Sequence, residues 1–116
     1  MSYVDGFVIP VRDVAGYRKL ARMAGKIWME HGALQYVECV ADDVPDGKRT
    51  DFRRAVKLKE GETVVFAFIV YKTRAHRDKV LKAVMADPRM TPPDPRTMPF
   101  DMTRMILGGF RTIVEA

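Results

Sequence analysis

Cysteine is almost missing from this chain. Cys39 is the single one in 116 residues, so no internal disulfide can form, and a reducing cytoplasm is the expected setting. Long apolar runs are missing too. None approaches the roughly 18 residues that a spanning helix requires, which argues against a membrane protein. Met1–Gly6 has no basic region leading into an apolar stretch, so no signal peptide is expected. There is no glycine-rich phosphate loop and no nucleotide fingerprint. The two histidines, His31 and His76, form no recognised ligand spacing with Cys39, Asp42 or Asp43. Neither a metal nor a cofactor is therefore expected.

What is present describes a globular chain. It is 47% hydrophobic and 30% charged, which excludes disorder. Its length fits one domain over residues 1–116. The net charge is +5, with basic residues spread along the chain, as in Arg18, Lys19, Arg22 and Lys26, then Arg53, Arg54, Lys57 and Lys59. Such spacing reads as solvated faces or as attraction to an anionic ligand or nucleic acid.

The strongest local signal is Val64–Tyr71. Strand side chains alternate, so Val64, Phe66, Phe68 and Val70 share one face, and Val65, Ala67, Ile69 and Tyr71 share the other. Both sets are apolar, so both faces require cover. Around this strand, Tyr3–Val11 reads as a first strand. Asp13 caps a helix whose stripe is Val14, Tyr17, Ala21, Ala24, Trp28 and His31. Gly25 within it points to close packing on the sheet, and Gly32 to a C-terminal cap. Ala33–Ala41 reads as a second strand, placing Leu34, Tyr36, Glu38 and Val40 on one face. Phe52–Leu58 is ambiguous between short helix, extra strand and excursion. Glu62–Lys72 is the third strand, and Thr73 caps a helix to Ala86 that Asp87-Pro88 stops. Arg104–Val114 is the last strand, with Gly108-Gly109 marking a bulge or a close backbone approach.

Residues 88–103 form a proline-rich connection to that strand. It reads as a rigid crossing that packs Met98 and Phe100, or as a lid. The order is strand, helix, strand, strand, helix, strand: an α+β, ferredoxin-like βαββαβ sandwich. Right-handed crossovers put both substantial helices on one side of the sheet. The other side then awaits a partner, most simply a second copy of the chain, giving a homodimer.

Several ordered segments resemble the YbaA-like family of small bacterial proteins. They include Tyr3-Val4-Asp5-Gly6-Phe7, Glu30-His31-Gly32-Ala33-Leu34, Tyr36-Val37-Glu38-Cys39-Val40 and Arg74-Ala75-His76-Arg77-Asp78. Val84-Met85-Ala86-Asp87-Pro88-Arg89 and Met98-Pro99-Phe100-Asp101 continue the match, so that it spans essentially the whole chain. The resemblance implies a dimeric α/β barrel. It implies no assigned activity and no transferable catalytic residue. Related superfamily members include cofactor-independent monooxygenases, haem-degrading enzymes and small stress proteins, so fold alone selects no reaction.

Two constellations could carry chemistry. At the start of the second helix, Arg74 and Arg77 could hold a carboxylate, phosphate or enolate beside free backbone N–H groups. His76 between them could act as acid or base. His31, Tyr36 and Glu38 form the second set, where a half-buried carboxylate could meet an imidazole and a phenol. The structural readings are a solvated first turn with His76 satisfied by a backbone carbonyl, and a His31 that merely completes its helix. Asp5, in a central strand, needs a partner, and Arg104 or Arg111 on the last strand is the expected one. Cys39 reads as a small core residue.

Phe66-Ala67-Phe68-Ile69-Val70-Tyr71 also fits the aromatic half of an RNA-recognition strand. Val64-Val65 stand where its basic-Gly pair belongs, which counts against RNA. The function classes left are a binder of a small organic molecule, anions included, with cofactor-free oxygenation or acid–base chemistry, an RNA-binding sheet, and a structural or regulatory dimer.

Overall fold

A computed structural model describes residues 2–90 and 94–116. The chain forms a mixed α+β fold of four strands and three helices: β1 Tyr3–Val11, α1 Val14–Glu30, β2 Gln35–Val40, α2 Phe52–Ala55, β3 Thr63–Tyr71, α3 Arg74–Ala86 and β4 Ile106–Arg111. A 3₁₀ turn, Pro88–Met90, follows α3. The sheet order is β2-β3-β1-β4, with every neighbouring pair antiparallel.

Local chemistry explains the element ends. Asp13 accepts from the Gly16 N–H and opens α1, and Thr73 accepts from the His76 N–H and opens α3. Each satisfies one orphan donor of a first turn. His31 closes α1, and Gly32 follows at φ 110°, a conformation that favours glycine. The strands at β2 and β4 are shorter than their apolar patterns, because both are edges with one neighbour each. The ambiguous Phe52–Leu58 stretch resolves as the short helix α2, capped by Asp51.

β3 has both of its faces apolar and sits inside the sheet. Val65, Ala67, Ile69 and Tyr71 are all buried beneath α1 and α3. Ile27 of α1 and Val80 and Val84 of α3 complete that core. Burying each such side chain contributes about 1.5–3 kcal/mol. Val14, expected in the buried stripe, is exposed, since it lies in the first turn, before α1 reaches the sheet.

The other face is largely open. Val4, Val8, Val37, Phe68 and Val70 are only half-buried there, and Phe66 and Phe110 are 43% and 63% exposed. α2 covers one end, where Phe52 meets Phe66 edge-on at 6.3 Å between ring centroids. Cys39 pairs with Phe66 in register and is exposed on this face, not in the core. The reason is register: with Tyr36 and Glu38 turned to the helices, Cys39 must turn away.

The proline-rich connection packs as a crossing. Met98 and Pro99 are buried, Phe100 bridges Val11, and its ring stands edge-on to Tyr17 at 5.4 Å. The Arg12 and Asp13 N–H groups both donate to the Pro99 carbonyl. Pro92 and Pro93 lie outside the described residues. Arg104 anchors the far end, donating to Glu62 and Asp101 side chains and to the Val56 and Lys57 carbonyls. No helix among the described residues is long and apolar enough to cross a membrane.

Candidate functional site

β2 lays Tyr36 opposite Ile69 and Glu38 opposite Ala67, so both turn toward the helices. α1 crosses above them. Its Gly25 makes the crossing possible, because a Cβ there would stand 2.9 Å from the Tyr36 ring. The approach brings the buried Tyr17 over Glu38. Tyr17 donates its hydroxyl proton to Oε1 of Glu38, and Tyr36 donates to Oε2 at 2.5 Å. Hydrogen bonds to an ionised carboxylate are the stronger kind. Burial raises the pKa of both phenols, and their bonds to Glu38 raise it further. Both therefore stay protonated as donors to the carboxylate.

An open cleft of about 340 Å³ lies above this group. Tyr36 and Glu38 line its floor, and Arg18, Arg22, Lys26 and Met29 of α1 line its rim. The three cations recur every fourth residue, so they share one helix face about 6 Å apart along the axis. Among the described residues, the Arg18 and Arg22 side chains make no hydrogen bond or ion pair. Lys26 acts on the Glu30 carboxylate one turn on.

The remaining predicted residues lie elsewhere. His31 meets Oδ2 of Asp87 through Nε2 at 2.9 Å. That carboxylate also accepts from Arg89, and these bonds hold its pKa well below the usual range. His31 thus belongs to a cluster joining the ends of α1 and α3, not to the Tyr36–Glu38 pair. His76 accepts the Lys72 N–H at Nδ1, 2.9 Å away, and its ring stands edge-on to Tyr71. The expected partner was a backbone carbonyl, which would accept from the ring; the structure instead has a backbone amide donating to it. With Nδ1 accepting, a neutral His76 carries its proton on Nε2, beside Gly32.

Arg77 reaches across the core to Asp5 at 2.9 Å and lies over the Tyr3 ring at 5.0 Å. Asp5 is 7% exposed, so its partner is α3's Arg77, not Arg104 or Arg111. The physical reason is facing: Asp5 looks at the helices, and Arg104 is taken by Glu62 and Asp101. Burial raises the Asp5 pKa, and the Arg77 charge works against that shift. Trp28 donates to the Tyr71 hydroxyl at 3.1 Å, a polar role that its place in an apolar stripe did not reveal. Arg74 stands apart, lining a second cleft of about 540 Å³ with Ser2, Tyr3, Thr73, Gly109 and Arg111.

Sequence reasoning therefore paired Tyr36 with Glu38 and missed Tyr17, Arg18, Arg22 and Lys26 as their neighbours. A signal existed. Arg18, Arg22 and Lys26 follow a four-residue step, and Tyr17 lies beside that row on the helix. Nothing in the residues themselves said which strand residue Tyr17 would meet.

Comparison with known proteins agrees over nearly the whole chain. Residues 2–102 match the family described as Protein of unknown function (DUF1428). The chain is 50% identical to the protein called Uncharacterized protein YbaA from Escherichia coli K12, over 99% of each chain. The same identity and coverage hold for its namesake in Shigella flexneri. Among solved structures it is similar to the de novo designed protein Foldit4, at 9% identity and a TM-score of 0.49, over 97% of this chain and 99% of that one. By the match over residues 2–102 and by half-identity along its length, the chain belongs to the DUF1428 family and is YbaA-like.

Proposed function

We propose that this protein is a ferredoxin-like domain that pairs through its open sheet face as a dimeric α/β barrel and binds a small organic anion in the α1–β2 cleft. One observation carries the binding reading: a carboxylate held by two phenols lies under a rim of three cations, two of them without partners among the described residues. The rim favours an anion. Glu38 is the group that can take or return a proton, being the one carboxylate among the described residues that line the cleft. This role falls to Glu38 instead of His76, whose Nδ1 already accepts a backbone proton. Arg77 is likewise committed to Asp5, and Arg74 lines the other cleft, so within the α1–β2 cleft Arg18 and Arg22 are the anion holders.

Pairing is supported by the composition of the open face. Its strand positions are Val4, Val8, Val37, Val64, Phe66, Phe68, Val70, Ile106 and Phe110, with glycine, proline, Gln35 and Cys39 between them. None is charged. A sheet that stacks RNA bases combines its aromatics with cations that track the backbone, and this face has none at its strand positions. A second copy suits it better. A dimer with no chemistry is the competing reading.

The test is a titration of ¹⁵N-labelled protein with simple carboxylates. Saturable shifts at Arg18, Arg22, Gly25 and Tyr36, lost in Arg18→Glu/Arg22→Glu, are expected. Absence of any saturable shift would leave the structural or regulatory dimer.

A further inference from the structure

The floor of the cleft carries more information than its charge. A carboxylate has about four acceptor sites and a phenol one donor. Tyr17 and Tyr36 both spend their single donor on Glu38, one on each oxygen. The side chains lining the floor, Tyr36 and Glu38, therefore turn only acceptor lone pairs toward the cleft. Its rim, Arg18, Arg22 and Lys26, carries only donors. The cleft is thus polarised from strand to helix.

We infer that the ligand is a bifunctional organic anion, with a hydrogen-bond donor (a hydroxyl or an ammonium group) seated against Glu38 and Tyr36 and a carboxylate or phosphate held by Arg18, Arg22 and Lys26. This rests on the binding reading above and sharpens it. A simple carboxylate satisfies the rim and leaves the acceptor floor facing an apolar chain, which desolvates Glu38 without compensation. A donor-bearing anion satisfies both ends. The donor is also the group whose proton Glu38 would receive in acid–base chemistry, so binding and proton transfer meet at one atom. Raised phenol pKa values keep the two tyrosine protons in place while this happens.

The test compares two matched pairs on the full chain: 4-hydroxybenzoate against benzoate, and 4-aminobutyrate against butyrate. Binding is followed by amide shifts around Gly25 and Tyr36. The donor-bearing member of each pair is expected to bind at least about tenfold more tightly, the worth of one hydrogen bond to a charged group. Glu38→Gln, which places an amide donor on the floor, is expected to erase most of that preference while the rim still holds the carboxylate. The folded state of this variant is checked by its amide spectrum. Equal binding within each pair in the unsubstituted protein would overturn the donor requirement and leave the anion cleft standing. No saturable binding by any of the four at millimolar concentration would overturn both.

Discussion

The two faces of β3 come from one run of nine residues and meet opposite fates. On the helix side, the polar groups close to the core find partners among the described residues: Asp5 has Arg77, Glu38 has Tyr17 and Tyr36, and Tyr71 has Trp28. On the open side no strand position is charged, and Phe66, Ile106 and Phe110 remain exposed. The helix face can afford carboxylates because neighbouring elements bring donors to them. The open face, with no second layer over most of its area, carries apolar side chains that only another surface can bury. One face is complete within the chain, and the other leaves Phe66, Ile106 and Phe110 uncovered.

The largest expected effect attacks the open face. Phe68→Asp would put a charge into the proposed interface, and the proposed dimer should weaken by about a thousandfold or more, roughly 4 kcal/mol. Analytical ultracentrifugation reads this directly, and an unchanged sedimentation coefficient would move the interface elsewhere. Next comes the helix face. Arg77→Met should cost about 3 kcal/mol in urea unfolding, because Asp5 is left buried without its cation. Adding Asp5→Asn should recover a good part of the loss. A single-variant cost near zero would mean that the pair behaves as a surface contact.

A smaller effect separates close packing from helix propensity. Gly25→Ala gains about 1 kcal/mol of helix propensity, yet its Cβ would press into the Tyr36 ring. A net loss of about 1 kcal/mol is expected, together with displaced amide shifts at Tyr36 and Glu38. A net gain would show that α1 can lift from β2 freely. The smallest effect concerns pH. Bonds from Arg104 hold the Glu62 carboxyl below its ordinary range, and bonds from Thr103 and Arg104 do the same for Asp101. A carboxyl depressed in the folded state binds fewer protons there than when unfolded. Its stabilisation is therefore present above the unfolded value of ~4 and is lost as the pH falls below it. The urea midpoint should decline from about pH 5 toward pH 3, and Glu62→Gln should flatten part of that decline.

The elements were legible in the sequence where a single physical cause dominates. Alternation marked β1 and β3, Asp13 and Thr73 announced their helices, and Gly25 signalled the close crossing. Gly109 met the expectation of close approach: the Tyr3 hydroxyl lies where its Cβ would stand. Partner choice was less legible. Asp5 demanded a cation, but which arginine answered depended on facing, and facing depended on the tertiary arrangement. Cys39 was misplaced for the same reason, since one residue of register separates the core from the open face. At the candidate site, Tyr36 and Glu38 share a strand face and were found together. Tyr17 and the cation row come from the preceding helix, and only its crossing angle over β2 joins them.

Solution molar mass over a dilution series tests the central contrast most directly. Light scattering on a sizing column should return twice the 13.2 kDa of one chain, and hold that value on dilution. A steady 13.2 kDa would mean that the open face stays in water and that the second layer is not another copy.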